Sequence, residues 1–373
     1  MNPQAGTFWQ QILQHTRLRD GSFTKDNEIS ERVLHDVLAA LMSNKKTGPR
    51  ARQSSNRVQI LRRNRNIART LYHVRLEPSS RKREIFVKVF DHPRKTLEQR
   101  LALAEVENRF HQCAQRRFSA LPSLGVAPLI GPFPEQPVVV VEKVRGILLS
   151  DLLRRAVWKS SFNSADCGVA HTLRRVGEWL RVFHDEPDPI FRPVTLERIL
   201  ESVLREFDRL PASRFNPVLR SKAERFCILS LEQTSVRELR VVPQHSDFLP
   251  HNIIVDGDKI YGLDFTSVTA DADGVEDVSN FIAYLELFRK LPICSRRAVR
   301  RWQASFMDGY GLSSWDGPLL QVFVLRSVFR ILHENIRYKG IARSFASRYV
   351  ASMLSALDGE QENGFSTIGR ILP

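Results

Sequence analysis

The alternation of hydrophobic and polar positions divides the chain into three stretches. In the first, Ile29, Val33, Val37 and Leu41 recur at helical spacing with Leu34 and Leu38 beside them, and Asn27 or Ser30 stands where an N-cap belongs. Phe8, Trp9, Ile12 and Leu13 form a shorter stripe before it, so residues 1–44 read as a helical N-terminal extension. Glu28, Glu31 and Asp36 deprive the second helix of the basic face a membrane-surface helix carries, and docking on the main body is expected instead. A polar, basic linker follows over 43–57. Then the period shortens to two. VQILRR, RTLYHVRLEP and EIFVKVF read as strands, with a turn at SSRKR between the last two, a helix from Leu97 to Ala114, and another strand in VVVVEKV after Pro137. From Leu148 the period is helical again, as in TLRRVGEWLRVFH, where Leu173, Val176, Leu180 and Phe183 share a face. Two short strands interrupt it, NIIVD and KIYGLDF, around a Gly257-Asp258 turn. The order predicts an α+β protein with a small β-rich lobe over 45–142 and a larger, mainly helical lobe over 143–373.

Composition narrows the class without naming it. With 373 residues, 42% of them hydrophobic and 26% charged, the chain is long enough for two lobes and too apolar for wholesale disorder. No apolar run approaches the ~18 residues that span a bilayer, and MNPQAGTFWQQILQ lacks the charged and apolar regions of a signal peptide. Cys113, Cys167, Cys227 and Cys294 are scattered and form no CxxC pair, which fits a reducing compartment, so a cytoplasmic location is expected.

Charge adds a lead. The net charge is +15, and 44 of the 56 basic residues are arginines. From Lys45 to Arg83 there are 13 basic residues against one acid, Glu77. Arg296, Arg297, Arg300 and Arg301 form a second cluster whose spacing places all four on one helix face. Such fields draw phosphates, acidic glycans, an anionic membrane surface or nucleic acid; a solvated basic surface is the plain alternative.

The chemistry concentrates in QHSDFLPHNIIVDGDKIYGLDF, residues 244–265. His245-x-Asp247 is followed by Asn252 five residues after the aspartate and by Asp264-Phe265 twelve residues later. Phosphoryl transfer from ATP needs a carboxylate to orient the acceptor hydroxyl and take its proton, and oxygen ligands for Mg²⁺ on the phosphates. One loop supplies the base and a metal ligand, and a hairpin returns a second ligand. By residue frequencies, H-x-D-x(4)-N would arise by accident about 0.02 times in such a chain. There is no G-x-S-x-G elbow, HExxH, dinucleotide fingerprint or Walker loop to support another enzyme class.

On these residues the chain resembles the aminoglycoside phosphotransferase/choline kinase family, relatives of the protein kinases. Lys88 in EIFVKVF matches the family's phosphate-binding lysine, and VVVVEKVRGILLSDLL, with Glu142 and Gly146, looks like its hinge. The helix ending in Phe183-His184 and Asp277 in DVSNFIAYL match two further elements, so the likeness covers roughly 57–290. The resemblance implies a protein-kinase-like bilobal fold with ATP and Mg²⁺ as cofactors. It implies Asp247 as catalytic base, His245 as support of its loop, Asn252 and Asp264 as Mg²⁺ ligands, and Lys88 and Glu142 as nucleotide-binding residues. The glutamate that holds Lys88 is expected to be Glu107, which shares a face with Leu103 and Phe110, rather than Glu105.

Three departures stand out. Residues 49–124 contain no glycine, so the phosphate loop is not glycine-rich; its candidate turn is RRNRNIA, with Asn64 or Asn66 left-handed. Ser246 stands where the family often has glycine, and Thr266 where protein kinases have one. The reading is a kinase acting on a hydroxyl of a small molecule or glycan, and the basic chain points to an anionic acceptor. A protein kinase and a catalytically weak kinase-like module that binds nucleic acid or anionic lipid are the alternatives. The absence of an A-P-E segment argues against the first, and the full set Lys88, Asp247, Asn252 and Asp264 against the second.

Overall fold

A computed structural model describes residues 24–43, 57–65, 69–77, 83–160, 166–186, 188–212, 215–289, 295–311, 317–339 and 350. The described residues divide into two units, one within 24–146 and 261–267, the other within 147–260 and 268–350. They are called here the sheet unit and the helical unit.

The sheet unit opens with helix α1 (Thr24–Ser43) and strands β1 (Arg57–Arg65), β2 (Thr70–Glu77) and β3 (Arg83–Val89). Helix α2 (Leu97–Phe118), β4 (Leu124–Val126) and β5 (Val138–Glu142) follow. Strands β1, β2, β3 and β5 form one sheet in that order, with antiparallel pairing between each neighbouring pair. Alternation along β3 explains its two faces. Ile85, Val87 and Val89 are fully buried against Val33, Leu34 and Val37 of α1. Lys88 and Phe90 belong to the opposite face, where Phe90 packs with Ala104 of α2 and Val139 of β5. Helices therefore cover both faces of the sheet. Helix α2 begins at a capping box in which Thr96 accepts from the Gln99 amide and the Gln99 side chain accepts from the Thr96 amide.

Three local expectations change. The buried stripe of α1 runs through Val33, Leu34 and Val37, while Ile29 is 39% exposed. Ser30 is not a cap; it lies inside the helix, where its hydroxyl accepts from the Tyr72 phenol at 2.9 Å. Asn64 is not a turn residue either, since it is paired with Leu71 in the β1–β2 ladder. Phe8–Leu13, Asn66 and the SSRK of the predicted turn lie outside the described residues.

The helical unit contains β6 (Ile147–Leu148), α3 (Leu149–Ser160), α4 (Asp166–Phe183), β7 (Ile190–Pro193), α5 (Leu196–Asp208), α6 (Pro217–Glu232) and β8 (Glu238–Gln244). A short 3-10 turn (Pro250–Asn252) leads into β9 (Ile253–Asp256) and β10 (Lys259–Gly262), whose last two residues belong to the sheet unit. Then come β11 (Thr269–Ala272), α7 (Val275–Arg289), α8 (Arg296–Tyr310) and α9 (Gly317–Lys339). Its core is aromatic. Trp179 stacks between Phe183 and Phe248, and Phe248 continues through Phe281 to Phe306. Among the described residues no helix is long and apolar enough to cross a membrane.

Helices α4 and α8 touch backbone to backbone through two glycines. A Cβ on Gly309 would collide with the carbonyl oxygen of Arg174, and one on Gly177 with that of Phe306. Because a main-chain atom cannot swing aside, Gly309→Ala is expected to destabilise the protein by about 3 kcal/mol, the upper range of overpacking. Thermal melting checks this, and an unchanged midpoint would contradict the close approach.

Candidate functional site

The sheet unit holds a cationic and anionic cluster built on three segments. Lys88 projects from β3, in register with Leu71 on one side and Val139 on the other. Its Nζ donates to both carboxylate oxygens of Glu107 on α2, at 2.8 and 2.7 Å. Glu107 is 3% exposed, whereas Glu105 faces outward. The third segment, 261–267, brings Asp264, whose Oδ1 accepts from Lys88 Nζ at 2.8 Å. Thr266 closes the group, its Oγ1 lying 2.6 Å from Lys88 Nζ and 2.8 Å from Glu107. Phe265 is fully buried edge-on against the His111 ring and anchors the segment.

Asp264 is held in an unusual state. Its φ of 63° is a left-handed conformation that non-glycine residues adopt at a cost, which the surrounding contacts must cover. Arg69, just before β2, grips both of its oxygens, Nη1 at 3.0 Å and Nη2 at 2.5 Å. Burial alone would raise the Asp264 carboxyl, but the charges of Lys88 and Arg69 and their hydrogen bonds outweigh it and hold it far below the usual carboxylate range. His111, whose Nε2 lies 2.5 Å from the Ala127 carbonyl, is pushed down chiefly by burial.

Glu142 ends β5 three residues beyond Val139, and its carboxylate is engaged by Arg83. Nearby, the Lys143 and Arg75 hydrogen bonds pull Glu84 down to about 2 from its ordinary 4.5. A carboxyl depressed in the folded state stabilises fully above its unfolded pKa and stops doing so as pH falls through the folded value. Thermal stability is therefore expected to fall between pH 4.5 and about 2, and Glu84→Gln to flatten that slope in melting curves recorded against pH.

The helical unit holds the loop after β8. His245 is fully buried, with its ring edge-on to Phe183 and Phe248. Ser246 has φ 63°, so a serine takes the left-handed turn that glycine adopts without strain. That turn is secured from below by Asp277 in the first turn of α7. Its Oδ2 accepts from the His245 amide at 2.6 Å and its Oδ1 from the Ser246 amide at 2.7 Å. Asp277 is itself buried and oriented by His184, whose Nε2 lies 3.0 Å away and whose Nδ1 is 2.8 Å from the Tyr310 hydroxyl. Glu276, next in the chain, accepts from Gln244 and pairs with Arg326 and Arg330.

Beyond the turn, Asp247 is left 41% exposed at its side chain. Asn252 reaches back to it, Nδ2 donating to the Asp247 carbonyl at 2.9 Å and to Oδ2 at 2.8 Å. With its nitrogen committed, the Asn252 amide turns its oxygen away from Asp247. A separate cavity of about 400 Å³ in this unit is lined by Arg181, His184, Arg240, Asp273 and Tyr310 among others. Neither Asp247 nor Asn252 lines it.

The structure thus groups Lys88, Glu107 and Asp264 in one unit, and His245, Asp247 and Asn252 in the other, with Glu142 apart from both groups. Arg69 and the acceptor role of Thr266 were not foreseen. Arg69 is one arginine among 44, and Thr266 drew notice only as a missing glycine.

The fold is that of protein-kinase-like phosphotransferases. Aminoglycoside phosphotransferase APH(4)-Ia matches with a TM-score of 0.52 at 13% identity, covering 87% of this chain and 98% of that one. A thermostable mutant of the same protein, in ternary complex with AMP-PNP and hygromycin B, matches at 0.50, with 13% identity and coverage of 86% and 98%. An ethanolamine kinase of Plasmodium vivax matches at 0.47, with 15% identity and coverage of 92% and 96%. No family model matches the chain, and no curated protein matches it in sequence.

Proposed function

We propose that this protein is an ATP- and Mg²⁺-dependent phosphotransferase that acts on a hydroxyl of a small molecule or glycan. The observation that carries the reading is the Lys88–Glu107 pair joined to Asp264, a lysine held by one carboxylate and shared with another. A buried lysine so anchored is placed to meet phosphate oxygens with a charge-assisted hydrogen bond. The AMP-PNP complex of APH(4)-Ia, a protein of the same fold, supports ATP as the donor.

Asp247 would accept the proton of the attacking hydroxyl. Its exposure leaves it open to an acceptor, and the Asn252 bond orients the carboxylate. His245 and Asp277 would act on Asp247 by fixing the loop. Glu142 would serve through the hinge backbone, since its carboxylate is spent on Arg83.

Among the described residues no group of three or more His, Cys, Asp or Glu side chains is arranged to hold a metal. Mg²⁺ arriving with a nucleotide needs only one or two protein oxygens beside the phosphates. Asp264, kept ionised, and the Oδ1 of Asn252 are hard oxygen donors of that kind. The ion, when bound, would neutralise charge on the transferred group.

The acceptor would be anionic. Arg296, Arg297 and Arg301 are exposed on the first turns of α8, and the net charge of +15 is unsuited to a polycationic substrate. Transfer of labelled γ-phosphate from Mg-ATP into separated metabolite, glycan, lipid and protein fractions tests the reading. Label in the metabolite or glycan fraction is expected, with transfer slowed by salt and by Arg297→Glu with Arg301→Glu. Label in protein alone, or in none, would overturn it.

A further inference from the structure

We propose that Arg69 takes the place of a glycine-rich phosphate loop, and that in the absence of nucleotide it closes Asp264 to divalent metal. The inference rests on the phosphotransferase reading above and assigns that site both a missing ligand and a binding order.

A glycine-rich loop meets phosphates with backbone amides because the absent side chains let the main chain approach. That device is not available between Pro49 and Leu124, where there is no glycine. What the sheet unit offers at the start of β2 is a guanidinium, whose paired donors match phosphate as well as carboxylate. The carboxylate it now holds is the one assigned to metal. Arg69 contacts both Asp264 oxygens and donates to Thr266 Oγ1 at 3.0 Å, while Lys88 occupies Oδ1 from another direction.

The two cations differ in exposure. Lys88 is 10% exposed at its side chain and locked to both oxygens of Glu107, so it stays. Arg69 is 28% exposed at its side chain and stands one residue before β2. A metal ion alone would have to displace a charged, two-pronged hydrogen-bonded pair. A nucleotide's phosphates offer the guanidinium an equivalent fork with more negative charge, and its transfer would bare Asp264. Nucleotide would then bind first and metal affinity would rise as a consequence.

Two binding measurements on the full chain test this without any turnover. Mn²⁺ binding is followed by electron paramagnetic resonance with and without saturating ADP, and ADP binding by calorimetry in EDTA. In the wild type, ADP is expected to tighten Mn²⁺ binding by at least about tenfold. Arg69→Gln is expected to tighten Mn²⁺ binding alone by about tenfold and to weaken ADP binding in EDTA by about tenfold, since each rests on one charge-assisted pair. Should that variant not fold, Arg69→Lys, which keeps the charge and loses the paired donors, is expected to shift both constants in the same directions. Wild-type ADP binding with neither constant moved by the substitution would overturn the role of Arg69 alone. No ADP binding by the folded wild type under any condition would overturn the phosphotransferase reading with it.

Discussion

Asp247→Asn is expected to lower the rate of phosphoryl transfer by about 10²–10⁴-fold, the usual worth of a positioned general base. The substitution is nearly isosteric, and an amide oxygen can still accept from Asn252 Nδ2, so the loop should hold its shape. What it loses is the ability to take a proton. Nucleotide affinity should stay within a factor of about two, because the Lys88, Glu107 and Asp264 side chains proposed to meet the phosphates are left unchanged by the substitution. The informative result is the split: kcat falls while the ADP dissociation constant does not move. A variant that keeps more than a tenth of its activity would remove Asp247 from the role of base.

Asp277→Ala carries the second large effect, on rate and stability together. It removes the acceptor of two backbone amides, those of buried His245 and of Ser246, and the partner of His184. Each amide left buried without a partner costs about 1–3 kcal/mol, so a total of about 3–5 kcal/mol is expected. For a body of this size that corresponds to a fall of about 10 °C in melting temperature. The same bonds hold Ser246 in its left-handed turn, and the residue after that turn is Asp247. Relaxation there should cost about 10²-fold in kcat through misplacement of the base. Asp277→Asn, which keeps one oxygen acceptor, should recover part of the stability and less of the rate. An unchanged rate in a destabilised Asp277→Ala protein would make Asp277 a purely structural residue.

Several features were legible from the chain alone because their chemistry is local. Asp247, Asn252 and Asp264 lie within 18 consecutive residues, and a loop followed by a hairpin needs no distant partner to be recognised. Helix α4 was legible for the same reason, since Leu173, Val176, Leu180 and Phe183 repeat at helical spacing and all four are buried. The choice of Glu107 over Glu105 as the inward residue of α2 followed from which side of the helix was apolar, and only Glu107 is buried. Other features depended on partners far away in sequence. Asn64 has the composition of a turn, yet ladder pairing with Leu71 draws it into a strand, as tertiary context commonly overrides propensity. Ile29 fits the apolar stripe of α1 by spacing, but the face that meets the sheet is set by Val33, Leu34 and Val37. Ser30 looked like a cap because hydroxyls favour helix starts; inside the helix it serves instead as the acceptor for Tyr72.

By itself the sequence determined the class of fold and pointed to one segment, 244–265, as the candidate for chemistry. Hydrophobic periodicity dictates which residues must leave water, and a compact motif places acids and amides on one loop whatever surrounds it. The tertiary structure alone decided which charges meet. That Arg69, of 44 arginines, lies on Asp264 and that Asp277 holds the backbone of His245 and Ser246 are consequences of contacts spanning 195 and about 30 residues. Charge and hydrogen bonding act over a few ångströms in space and have no period along the chain. No pattern of residues records them until the chain is folded.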